Sequence, residues 1–163
     1  MKKVYRQRLK NLLRGDIRKI KNVGKYDAEA IFLIMEELHA TVIELCDKYV
    51  AKNEMHYMQI ADGVLIVAEL ALAKELCDII AEIQWRILVN QQMLARGAIT
   101  KGPVSVSHTN IKIIGPAYVD VYEFESENAI YARVILTDNV ITHLKTVGDS
   151  LPGYIVEDAD EIY

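Results

Sequence analysis

A lone carboxylate, Asp62, stands inside Ile60-Ala61-Asp62-Gly63-Val64-Leu65-Ile66-Val67. Asp-Gly between two apolar runs is a tight-hairpin signal. The acid therefore belongs to a hairpin tip, where it either serves chemistry or simply suits the turn. On a strand that alternates faces, Ile60, Met58 and His56 share a side with Asp62. Lys101, Lys112 and Arg133 carry charge that phosphate would attract, and the alternative for each is a solvated face. Arg96 has a different alternative, a cation complementing the end of a helix. His39 and His143 fall in helical patterns and His108 in a loop, so the histidines form no ligand set. Cys46 and Cys77 lie in apolar helical patterns with no CxxC and no zinc spacing. They read as buried thiols of a reducing compartment.

The elements that must position these residues follow from periodicity. Val4, Leu9, Leu12, Leu13, Ile17 and Ile20 predict a helix over about 3–21, interrupted at Gly15. Ile31, Ile34, Met35, Leu38, Val42, Leu45 and Tyr49 predict a second helix over about 27–50. Residues 55–61 and 63–68 read as paired strands. The second of these is continuously apolar and should be buried on both faces. A helix is expected over about 70–94, then strands near 96–101 and 110–114. Gly115-Pro116 should open a helix to about 126. A strand over 129–136 and a short helix capped by Thr137-Asp138 follow. Leu151-Pro152-Gly153 is a turn, with a last short strand at Tyr154-Ile155-Val156.

Composition sets the class. The chain has 163 residues, 52% hydrophobic and 26% charged, the balance of one folded domain with a real core. A net charge of −4 argues against a nucleic-acid binder. The cations are nevertheless concentrated in residues 1–25, against Asp16 alone, and acids gather in the last seven residues. No signal peptide follows Met1-Lys2-Lys3, and no run is long enough to span a membrane, so a cytoplasmic location is expected. The expectation is a single domain over 1–163, an α/β (α+β) fold with a mostly antiparallel sheet and helices packed on it.

Residues 54–145 resemble the catalytic domain of class III nucleotidyl cyclases. Their similarity is greatest to the bacterial branch that includes the pyrimidine cyclases of anti-phage signalling. The resemblance rests on the acidic hairpin and on Arg96-Gly97-Ala98-Ile99-Thr100-Lys101-Gly102. It continues through Gly115-Pro116-Ala117, Tyr122-Glu123-Phe124-Glu125 and Asn128-Ala129-Ile130-Tyr131-Ala132-Arg133-Val134. It implies a ferredoxin-like, cyclase-type domain acting as a homodimer on a nucleoside triphosphate. In such a reaction the ribose 3′-oxygen attacks the α-phosphate, and two Mg2+ or Mn2+ ions held by paired aspartates stabilise the attacking and leaving oxygens. The resemblance assigns Asp62 to metal and Arg96 to phosphate, and Lys101 stands beside them as a candidate substrate contact. It assigns Met58 and His56 to the base-reading strand.

The sequence departs from the family at several positions. Met58 stands where adenylyl cyclases usually carry a lysine, which leaves the base open. Val119 and Glu123 occupy the helix positions where many relatives carry asparagine and arginine. The family's other metal aspartate lies on its first strand, and no apolar strand ending in aspartate is legible before Met55. Asp16 sits among cations, and Asp27 suits a helix start. That strand is therefore expected to be missing. Truncation at either end, a strand supplied by a partner chain, and a degenerate domain without the metal pair remain as explanations. The last implies a catalytically inactive cyclase-like domain serving dimerisation or nucleotide sensing.

Overall fold

The computed structural model describes residues 2–9, 28–60, 63–91, 94–107, 112–129, 132–148 and 150–157. Its sheet is built around strand β3, Gly63–Glu69, whose Leu65, Ile66 and Val67 are fully buried. Burial of each such side chain contributes about 1.5–3 kcal/mol. Strand β2, Met55–Ile60, pairs with β3 antiparallel, with Ile60 opposite Gly63. On the other side of β3 lies β1, Lys2–Leu9. β1 also pairs antiparallel with β4, Ala95–Lys101. A short parallel strand, β7, Val134–Leu136, completes the order β2-β3-β1-β4-β7.

β1 corrects the largest sequence expectation. Residues 2–9 form a strand where a helix was read, and the strand expected to be missing is present in the centre of the sheet. The apolar residues from Val4 onward have helical spacing, but β3 and β4 each present an edge that needs hydrogen-bond partners. Pairing with two neighbours outweighs a weak local preference. The rest of the expected first helix, with Asp16, lies outside the described residues.

Helix α1, Ala28–Val50, and helix α2, Ala73–Gln91, cover one face of the sheet. Leu38, Val42 and Cys46 recur every four residues on the buried side of α1, as do Leu76, Ile80 and Ile83 at spacings of four and three on α2. A 3₁₀ turn, Leu70–Leu72, leads into α2. Arg86 clamps the two helices, its guanidinium 2.8 Å from Glu44 and 2.7 Å from Glu82. Cys46 and Cys77 are free, buried thiols, and desolvation pushes Cys46 up to about 12. The order β1-α1-β2-β3-α2-β4 is the ferredoxin-like βαββαβ arrangement.

The opposite face is covered by helix α3, Pro116–Asn128, which packs Ala117 and Val121 over Leu65, Val67 and Ala98. A two-stranded ribbon, β5 (Ser105–Ser107) with β6 (Lys112–Ile114), leads into it. Helix α4, Asp138–Val147, returns to the α2 side through Val140, Ile141 and Leu144. β7 is shorter than the strand expected over 129–136, and residues 154–156 form no strand. Among the described residues no helix is long and apolar enough to cross a membrane.

Candidate functional site

Register fixes what stands beside the hairpin. Gly63 is opposite Arg8 of β1, and Arg8 is opposite Arg96 of β4. These three residues form one row across the sheet at its hairpin end. Asp62 itself lies outside the described residues, as does His108. β1 reads Lys-Lys-Val-Tyr-Arg-Gln-Arg-Leu and contains no carboxylate. Gln7, Arg8 and Leu9 occupy the end of the strand where the resemblance puts the second metal aspartate. Among the described residues no three His, Cys, Asp or Glu side chains converge as a metal site. This strand does not fit a two-carboxylate metal pair.

Arg96 opens β4 in the same row, and its side chain turns into the protein. It is 7% exposed and Glu125 of α3 is 1% exposed. Arg96 Nε lies 2.6 Å from Glu125 Oε1. The approach is a charge contact without hydrogen-bond alignment. Arg96 Nη1 donates to the carbonyl of Ala129 at 2.9 Å. One guanidinium thus ties the start of β4 to both the last turn of α3 and the residue after it. Two charges removed from water carry a large desolvation cost, and their mutual attraction offsets it only while both are present.

The sequence held a signal for this partnership. Ala117, Val121 and Glu125 recur every four residues and are the buried side of α3. A glutamate on an otherwise apolar stripe needs a cation facing it. Two glycines set how closely α3 approaches. A Cβ on Gly102 would lie 2.9 Å from Ala117 Cβ. Gly115 has φ +154°, and a Cβ there would lie 2.6 Å from the Pro103 carbonyl oxygen.

The remaining candidates are dispersed. Met58 is opposite Leu65 and His56 opposite Val67. Met58 packs against the α3-side core, and His56 is half-buried two register positions farther from the hairpin. Lys101 is opposite Lys3 at the other end of β4 from Arg96. Five residues of extended chain separate the two, about 17 Å. The structure therefore brings Arg96 to the hairpin row and leaves Lys101 at the far edge. Val119 and Glu123 are both exposed on the outer side of α3. With Asp120 and Glu127 also exposed, that side is acidic and repels a triphosphate.

No protein-family model matches the sequence, and no curated protein matches it. Solved structures do. The monomeric guanylyl cyclase domain of the RhoGC fusion protein from the aquatic fungus Blastocladiella emersonii superposes with a TM-score of 0.65 at 12% identity, covering 89% of this chain and 85% of that one. The guanylate cyclase domain of RhGC from Catenaria anguillulae, in complex with GTP, gives 0.62 at 12% identity, covering 88% and 81%. The adenylyl cyclase CyaB from P. aeruginosa gives 0.62 at 10% identity, covering 90% and 81%. The chain therefore has the fold of an adenylyl or guanylyl cyclase catalytic domain.

Proposed function

We propose that this chain is a catalytically silent cyclase-fold domain that works by association rather than by ring closure. The observation that carries this reading is β1, which reaches the hairpin row with Gln7, Arg8 and Leu9 and no carboxylate. Two-metal chemistry needs acids there to hold both ions against the triphosphate. Glu123 and its acidic neighbours on α3 support the reading, because a transition state rich in negative charge needs cations at such positions. Support for association comes from the outer sides of α1 and α2. Phe32, Leu33 and Trp85 are each more than 60% exposed, and Leu88 and Val89 are exposed beside Trp85 on α2. Trp85, Leu88 and Val89, three and four residues apart on α2, form an exposed apolar patch, and such patches mark interaction surfaces. In this reading the 163 residues act as one domain, in the cytoplasm, as a homodimer.

Asp62 favours a second reading. It lies between the paired Ile60 and Gly63, where the resemblance puts a metal aspartate. An active cyclase would bind Mg2+ or Mn2+ there, with Arg96 on phosphate and Met58 and His56 near the base. A pyrimidine product and a role in anti-phage signalling would follow from the bacterial branch. One experiment separates the two readings. The purified chain and its Asp62→Ala variant are incubated with each of the four ribonucleoside triphosphates and Mn2+, and products are identified by mass spectrometry. The silent reading expects no 3′,5′-cyclic nucleotide from either protein. Cyclic product that disappears in Asp62→Ala overturns it. Sedimentation of the wild type and of Leu88→Glu tests association, and a wild-type monomer at all concentrations counts against that part.

A further inference from the structure

A cavity of about 300 Å3 opens between α2, β4, β7 and the segment 151–157. It is on the opposite face of the sheet from α3. Ile99 of β4 lines it, whereas the adjacent Ala98 packs beneath α3, as alternation along a strand requires. Its apolar walls are Ile80, Ile99, Val134, Leu136 and Ile155. The size is at the lower end of small-molecule sites, which run from about 300 to 1,000 Å3. At roughly 30 Å3 for a water-sized group, it holds on the order of ten non-hydrogen atoms.

The outer wall is a strap. Tyr154 donates a short hydrogen bond from its hydroxyl to Asp78 of α2, and Asp78 also pairs with Lys74 at 2.7 Å. The Ile155 N–H donates to the Pro152 carbonyl at 2.9 Å, folding the strap back so that Ile155 meets the core. Burial and the Asp78 carboxylate both push the Tyr154 phenol up, so it remains a donor at neutral pH. The strap is therefore built to close over the cavity and not merely to trail past it.

Charge selects the occupant. Among the described residues, Arg133 is on the lining and no Asp or Glu is. A guanidinium has five N–H donors in a planar fork, enough to serve a carboxylate beside any partner within the protein. Arg133 is the one charged residue among the described lining residues, and donors of its fork beyond those its own partner uses suit one carboxylate on an apolar body. A phosphate dianion would call for more donors.

We propose that this cavity binds a small amphipathic carboxylic acid, its apolar body against Ile80, Ile99, Leu136 and Ile155 and its carboxylate at Arg133. The site is independent of the hairpin row and does not require cyclase activity. The test uses the full chain with octanoate as the probe, and octylammonium and 1-octanol as charge controls, followed by calorimetry and methyl NMR. Saturable 1:1 octanoate binding is expected, with shifts at Ile80, Ile99 and Leu136 and none at Val121 across the sheet. Octylammonium should bind at least about tenfold more weakly, the scale of one charge-assisted contact. Arg133→Gln should weaken octanoate by about tenfold and leave 1-octanol unchanged. Ala81→Trp should fill the cavity and abolish binding. Should that variant fail to fold, the wild-type shift map alone decides. Absence of saturable shifts, shifts centred on Val121, or equal affinity for octylammonium would overturn the proposal.

Discussion

Removal of Glu125 tests whether the Arg96 contact holds α3 in place. In Glu125→Leu the carboxylate is lost and Arg96 is left charged at a position where its side chain is only 8% exposed. Breaking a buried pair from one side costs about 3–5 kcal/mol. For a chain of this size each kcal/mol lowers Tm by about 2–4 °C, so the fall should be on the order of 6–20 °C. The double variant Arg96→Met/Glu125→Leu removes both charges. Its residual cost is the Ala129 carbonyl, which loses the 2.9 Å donor, about 1–3 kcal/mol. The double variant should therefore be more stable than Glu125→Leu alone, an inversion that only a coupled buried pair produces. The assay is urea unfolding of wild type, both single variants and the double, followed by circular dichroism. A loss below about 1 kcal/mol in Glu125→Leu is the value of an exposed pair. That result would refute the burial argument and return Arg96 to the solvent, free to meet phosphate.

Two further predictions concern geometry and pH. Gly115→Ala should cost at least about 2–3 kcal/mol in urea unfolding, because φ +154° is strained for alanine and the new Cβ would meet the Pro103 carbonyl at 2.6 Å. A neutral result would mean that the turn into α3 shifts freely. The Arg86 hydrogen bond and charge hold Glu44 below the usual carboxylate range. The unfolded state then binds more protons in that window, so stability rises with pH across it. The contribution is complete above about pH 4.3, the ordinary glutamate value, and is lost as pH falls through the lowered one. Glu44→Gln should flatten the acid side of the stability profile. Identical slopes for the two proteins would mean that the clamp does not persist in solution.

Much of the fold was legible because its signals are local. Asp62-Gly63 marked the hairpin, and the pairing of Ile60 with Gly63 agrees with it. Three- and four-residue spacing gave α1 and α2 to within a few residues, and Gly115-Pro116 gave the start of α3. The candidate site was less legible. Arg96 stood out as a cation at the head of a strand, yet its partner Glu125 is 29 residues later on another element, and spacing alone does not join them. The cavity at Arg133 has the same character, since α2, β7 and the strap meet there only after folding.

The sequence by itself determined helices α1 to α4, where the hairpin turns and which faces are apolar, because each depends on residues a few positions apart. It also determined that residues 2–9 hold cations and no acid. Only the tertiary structure decided that those residues form the central strand. The helical period belongs to the longer run from Val4 to Ile20, whereas the extended state of residues 2–9 is imposed by two neighbouring strands whose hydrogen bonds need partners. That placement puts Arg8 opposite Gly63, and so brings a basic N-terminal segment to the hairpin end of the sheet.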